Sequence, residues 1–211
     1  INMEKRLTVR DIKKLKLSPT RQQPIVSLVC YTAQMSRLIN DYVDIILVGD
    51  SLGMTIYGFP NTLSVSIDMM INHGAAVVRS TNRPHIVVDM PFGTYEESPQ
   101  VAFKSASQIM RETGAQSVKL EGGEEFAETI NFLTQRGIPV MGHIGLTPQR
   151  INTIGGFVTQ GKTDKDSQKL ILDAKAITDA GAFSMVVEAV PEDLGEKITK
   201  SVPVPTIGIG G

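Results

Sequence analysis

Along the chain, short runs of apolar and β-branched residues alternate with longer stretches in which apolar residues recur every three or four positions. The runs predict strands at Ile25–Cys30, Ile45–Gly49, His85–Asp89, Ser117–Glu121, Pro139–His143, Ser184–Glu188 and Pro205–Ile209. Most are near-continuous rather than alternating, as expected of strands covered on both faces of a parallel sheet. Between them, Glu124–Arg136 places Phe126, Ile130 and Leu133 on one helical face, and Gln168–Ala180 does the same with Leu170, Ala174 and Ile177. Pro99 is positioned to open a helix over Val101–Glu112. Gly114, Gly137 and Gly181 each stand just before a strand, where glycine suits the left-handed residue that closes a helix. Gly53–Ser66 and Ile151–Lys165 lack either period and read as long loops at strand ends.

Repeated strand–helix units imply an α/β fold with a parallel sheet and right-handed crossovers. Seven strands with no reversal of order favour a (β/α)8 TIM barrel over a doubly wound sheet. Seven alone would leave an open edge. The expectation is therefore a single barrel domain over residues 1–211, C-terminally incomplete, with the eighth strand and the C-terminal helix absent from this chain. Ile1 and Asn2 precede Met3 and read as additions to the natural start.

Composition narrows the function classes. Hydrophobic residues make up 41% and charged residues 20% of the chain, which excludes a disordered protein. A net charge of -1 gives no electrostatic basis for nucleic acid or an anionic membrane surface. No apolar run approaches the ~20 residues of a spanning helix, and the N-terminus lacks the apolar segment of a signal peptide. One cysteine, Cys30, forms no internal disulfide and suits a reducing cytoplasm.

The chemistry lies in the residues that close the strands. Successive strands end in Asp50, Asp89, Glu121, His143 and Glu188, with Lys119 sharing the face of Glu121 two residues on. In a parallel barrel such ends converge on the mouth that carries the active site. A single carboxylate after a strand is more often a turn or helix-cap residue. Four clustered carboxylates are a different matter, because they repel one another unless a cation or hydrogen bonds compensate. Oxygen-rich acidic donors favour Mg²⁺, whereas one histidine and no cysteine pair make a poor zinc set. His143 is expected to contact substrate; His73 and His85 read as structural, Cys30 as a small buried hydrophobe, and Met69 and Met70 as core filler. Glu121-Gly122-Gly123-Glu124 could hold an anion at a helix start, Gly155-Gly156 could hinge, and Gly208-Ile209-Gly210-Gly211 occupies a place where many barrels bind phosphate; each alone is more often turn chemistry.

Several stretches together resemble the ketopantoate hydroxymethyltransferase family. They are Leu47 through Met54, Asp89-Met90-Pro91-Phe92-Gly93, Val118 through Gly123, Gly142 through Gln149, Asn152 through Lys162, and Val187-Glu188 with Val190-Pro191. The resemblance implies a barrel, typically a homodecamer, in the pantothenate branch toward coenzyme A. It implies small-molecule substrates: 5,10-methylenetetrahydrofolate as one-carbon donor and 3-methyl-2-oxobutanoate as acceptor, giving 2-dehydropantoate. By the same resemblance Asp50, Asp89 and Glu121 match the metal-site acids. Asp50, Ser51, Asp89, Lys119 and His143 match substrate-contacting positions, and Glu188 matches the proton acceptor. Two positions depart from the family pattern. Cys30-Tyr31-Thr32 stands where Ala-Tyr-Asp is expected, and Gly208-Ile209-Gly210-Gly211 stands where Gly-Ile-Gly-Ala-Gly is expected. Competing readings are a Mg²⁺-dependent phosphoenolpyruvate- or pyruvate-type barrel lyase, a Schiff-base aldolase using Lys119, and a non-catalytic metabolite-binding scaffold, which has no use for four gathered acids.

Overall fold

A computed structural model describes residues 5–17 and 23–210; Ile1, Asn2 and Gly211 lie outside the described residues. The chain divides into two compact units, Ile1–Val118 and Lys119–Gly211.

The first unit runs α1 (Val9–Leu17), β1 (Ser27–Val29), α2 (Ala33–Ile39), β2 (Ile45–Val48), α3 (Leu52–Thr55), α4 (Ile67–Arg79), β3 (His85–Asp89) and α5 (Pro99–Thr113). β1 pairs with β2, and β2 with β3, all parallel, with Leu28 opposite Ile46 and Ile46 opposite Ile86. All five residues of β3 are buried, and the side chains of Ile86, Val87 and Val88 contribute about 1.5–3 kcal/mol each by leaving water. Helix α5 forms as the sequence predicts. The Ser98 hydroxyl accepts the Val101 N–H at 3.2 Å, Pro99 occupies the first turn, and Gly114 closes the helix at φ +77°. Helix α4 turns Met70, Ile71, Ala75 and Val77 inward, behind the N-cap Ser66. α1, α2 and α3 were not anticipated as helices; α3 is a single turn at the head of the expected 53–66 loop.

β4 (Ser117–Lys119) lies at the boundary between the units. The second unit continues with α6 (Ala127–Thr134), β5 (Val140–Gly145), α7 (Ile151–Ile154), α8 (Asp164–Asp179), β6 (Ser184–Glu188), α9 (Glu192–Ser201) and β7 (Thr206–Ile209). β5, β6 and β7 pair in parallel, with His143 opposite Val186 and Glu188 opposite Ile209. Strand order follows chain order, β1 to β7. Leu28 and Val29 of β1, and Ile209 of β7, are exposed, unlike the interior strands.

Several boundaries differ from expectation: β1 is shorter than the anticipated Ile25–Cys30, and β4 stops at Lys119, two residues before the anticipated Glu121. The helix predicted from Glu124 begins as a 3-10 turn, Glu124–Phe126, before α6. The 151–165 loop carries the short α7, closed by Gly155 at φ +84°, and α8 starts at Asp164 rather than Gln168. Its start is fixed by the N-cap Thr163, whose Oγ1 accepts the Asp166 N–H at 3.2 Å and donates to Asp166 Oδ2 at 2.7 Å. β5 runs two residues past His143 to Gly145. Among the described residues, no helix is long and apolar enough to cross a membrane.

Candidate functional site

In the first unit, β2 and β3 deliver two carboxylates to neighbouring strand ends. Asp50 and Asp89 are both buried, at 4% and 3% exposure. The Asp50 backbone N–H donates to Asp89 Oδ2 at 3.0 Å. Gly49 keeps this corner open: a Cβ there would lie 2.9 Å from Ser51 Oγ and 3.6 Å from Asp89 Oδ2. Ser51 heads α3 but makes no side-chain cap for it. Its hydroxyl instead hydrogen-bonds the Tyr31 hydroxyl at 2.8 Å. Thr32, where the family pattern has aspartate, is the N-cap of α2 and accepts the Met35 N–H at 3.2 Å. Aspartate fills that role equally well. His85 is structural, as expected, bonded to the Leu7 carbonyl at 3.1 Å and to Ser117 Oγ at 2.9 Å. Burial drives its pKa down to about 4. Cys30 is buried, and burial pushes its thiol up.

In the second unit, four predicted residues meet around one imidazole. Lys119 Nζ lies 3.2 Å from His143 Nδ1, and Glu121 Oε1 lies 3.5 Å from the same nitrogen. On the other side, His143 Nε2 lies 3.0 Å from Glu188 Oε2. Nδ1 thus stands between a cation and a carboxylate, and Nε2 faces a second carboxylate. Lys119, Glu121 and His143 are buried, whereas the Glu188 side chain is 20% exposed. Burial alone would raise the Glu121 carboxyl; the hydrogen bond and charge of His143, with Lys119 and the Gln149 N–H, carry it below the ordinary carboxylate value. Burial and Lys119 press His143 down, but Glu121 and Glu188 outweigh them and its pKa rises.

The backbone holds these groups in place. Gln149 N–H donates to Glu121 Oε2 at 3.0 Å, and Gly122 N–H donates to the His143 carbonyl at 2.9 Å. Gly145 sits at φ +90° against Glu188; a Cβ there would collide with the Glu188 carbonyl oxygen. The Gly122-Gly123 turn does not present a free helix start to an anion, because the Glu124 N–H is taken at 2.9 Å by Asp173 Oδ1 from α8. A Cβ at Gly123 would run into the Asp173 carboxylate. Gly208 and Gly210 border a cleft with Val190, Pro191 and Thr199. Tyr31, Gln149, Gly145 and Asp173 were not singled out as site residues. Gly145 and Gln149 lie inside the family-like stretch Gly142 through Gln149, and Tyr31 lies inside Cys30-Tyr31-Thr32, but none of these positions carried a role.

Each unit thus holds a distinct donor set: two buried aspartates with Ser51 and Tyr31 in the first, and the Lys119–Glu121–His143–Glu188 cluster in the second. Among the described residues, no group of three His, Cys, Asp or Glu side chains is arranged to hold a metal. Two carboxylates are what Mg²⁺ commonly takes from a protein, the rest of its shell being water and substrate oxygens, so the Asp50–Asp89 pair fits that ion in donor chemistry.

A family model described as ketopantoate hydroxymethyltransferase matches residues 6–211. The 3-methyl-2-oxobutanoate hydroxymethyltransferase of Parvibaculum lavamentivorans is 55% identical over 206 residues, covering 98% of this chain and 74% of that protein. Its namesake from Rhodospirillum rubrum is 54% identical, covering 98% and 73%. Among solved structures, phosphonopyruvate hydrolase in complex with oxalate and Mg²⁺ superposes with TM-score 0.69 at 15% identity, covering 96% of this chain and 72% of that one. 2,3-Dimethylmalate lyase, of the phosphoenolpyruvate mutase/isocitrate lyase superfamily, gives TM-score 0.65 at 12% identity and the same coverage. At such identities the likeness shows the fold alone, the α/β barrel class anticipated from the strand–helix alternation.

Proposed function

Because the chain belongs to the ketopantoate hydroxymethyltransferase family, we propose that it catalyses hydroxymethyl transfer from 5,10-methylenetetrahydrofolate to 3-methyl-2-oxobutanoate. With water, the products are 2-dehydropantoate and tetrahydrofolate. The observation that carries this reading is the pair of buried aspartates at consecutive strand ends, joined by the 3.0 Å bond from Asp50 N–H to Asp89 Oδ2. Buried carboxylates in one corner are costly unless a cation or hydrogen bonds offset them. In the proposal Asp50 and Asp89 hold Mg²⁺, two protein carboxylates being the usual complement for that ion; Glu121 is a further acid that the family resemblance names. When bound, Mg²⁺ polarises the keto carbonyl and lowers the cost of the negative charge that develops as C3 loses its proton.

The remaining roles fall to the chain's own side chains. In the first unit Ser51 offers the oxo acid's carboxylate a hydrogen bond; in the second, Lys119 offers a carboxylate its charge. Glu188 takes the proton from C3. It is the more exposed carboxylate of its cluster, and the His143 ring lies 3.0 Å away. His143 also stands beside Lys119, so it links the carboxylate-binding group to the base. The family further implies a homodecamer working in the cytoplasm, with each chain contributing one barrel domain. The lyase alternative rests on fold likeness alone, which assigns no reaction.

The test is direct. Purified protein with both substrates should form ketopantoate when Mg²⁺ is present and lose that activity with a chelator. Absence of product under every metal condition, or cleavage of the oxo acid without folate, would overturn the proposal.

A further inference from the structure

We propose that His73 is a positioning residue for Ser51, acting through Tyr31 and braced by Tyr57. The observation is a closed circuit of contacts in the first unit. Ser51 Oγ hydrogen-bonds Tyr31 Oη at 2.8 Å. The Tyr31 carbonyl faces His73 Nδ1 at 2.7 Å. His73 Nε2 faces Tyr57 Oη at 3.0 Å, and the two rings meet edge-on. Tyr57 comes just after Ile56, the C-cap of the short helix that Ser51 begins, and its N–H donates to the Leu52 carbonyl at 3.3 Å. The circuit therefore returns to its starting point, and His73 ties together the two segments that fix the serine.

The chemistry of the partners sets the proton positions. A carbonyl can only accept, so Nδ1 of His73 carries a hydrogen and donates to Tyr31. In the neutral ring Nε2 then accepts from the Tyr57 hydroxyl. A second feature points the same way. A serine at a helix N-cap ordinarily spends its oxygen on the helix's own N–H groups. Ser51 makes no such bond, and its hydroxyl is held by Tyr31 instead. This rests on the reading that Ser51 meets the substrate carboxylate. A serine that binds substrate equally in ground and transition states should affect KM rather than kcat, and so should the residues that orient it.

The experiment uses the full chain with Ser51→Ala, Tyr57→Phe, His73→Phe and His73→Asn, and the doubles that pair Ser51→Ala with Tyr57→Phe and with His73→Phe. KM for the oxo acid, kcat and thermal midpoint are read for each. Tyr57→Phe and His73→Phe should raise the oxo-acid KM about three- to ten-fold, the effect of one net hydrogen bond, at nearly constant kcat. His73→Asn, whose amide can still donate to the Tyr31 carbonyl, should recover part of the loss. Each double should be no worse than Ser51→Ala alone, because the groups act as one unit. If Ser51→Ala raises KM but the His73 and Tyr57 variants do not, or if the doubles are additive, the inference fails and the serine assignment stands. If Ser51→Ala leaves KM unchanged, the serine assignment fails and the inference with it.

Discussion

Asp89 accepts the Asp50 N–H and is a proposed metal ligand, two roles that a single substitution confounds and two substitutions separate. Asp89→Ala removes a proposed metal ligand and also leaves the buried Asp50 N–H without its acceptor, which costs about 1–3 kcal/mol. Asp89→Asn keeps an acceptor oxygen but not the charge. Calorimetric titration should show Mg²⁺-dependent oxo-acid binding weakened in both, whereas the unfolding midpoint should fall mainly in the alanine variant. Unchanged magnesium dependence in both would remove Asp89 from the metal site. Glu188→Gln keeps the size and polarity of a side chain that faces His143 at 3.0 Å. It should retain oxo-acid binding and lose roughly 10²–10⁴-fold in turnover, the usual worth of a general base; full activity would exclude that role. At this scale the ionisable groups were legible in advance, because each closes an apolar run. Tyr31 and Gln149 were not, since a hydroxyl reaching Ser51 and a backbone N–H reaching Glu121 leave no local pattern.

Strands and helices were legible where one signal dominated. The unbroken apolar runs of β3 and β6 set both ends of those strands as anticipated, and Pro99 with Gly114 marked α5, which runs two residues earlier and one later than the anticipated Val101–Glu112. Short elements escaped notice for physical reasons. The 3-10 turn at Glu124–Phe126 and the four-residue α7 are too brief to show a period. In α9 only Leu194 and Ile198 are buried, too sparse a stripe to stand out. The extension of β5 to Gly145 has a functional edge. Left-handed φ and the adjacent Glu188 carbonyl both forbid a side chain there. Gly145→Ala should therefore shift the end of β6 that carries Glu188. The expected result is a kcat loss of at least ten-fold with a smaller change in oxo-acid affinity, measured by steady-state kinetics beside equilibrium binding. An unaltered kcat would mean that the strand end accommodates the methyl group without moving Glu188, or that Glu188 is not the base, and would overturn this prediction.

For the molecule as a whole, acid stability is where one buried side chain should be felt. His85 is neutral in the fold, its pKa depressed to about 4 from 6.5 by burial. The unfolded chain takes up that proton as pH falls below about 6.5, and the folded chain does so only near 4. Its contribution of about 3 kcal/mol is therefore intact above pH 6.5 and lost progressively between 6.5 and 4. Urea unfolding over that window should show a steeper decline in the native protein than in His85→Gln, and equal slopes would refute the assignment. The alternation of strands and helices made the fold class readable from sequence, while the grouping of side chains about His143 needed tertiary placement. The contact of α8 with the turn after Glu121 bears on natural variation too. Asp173 fills the space a side chain at position 123 would need. Across divergent versions of this enzyme, the two sites should covary: a non-glycine at 123 should coincide with a residue shorter than aspartate at 173.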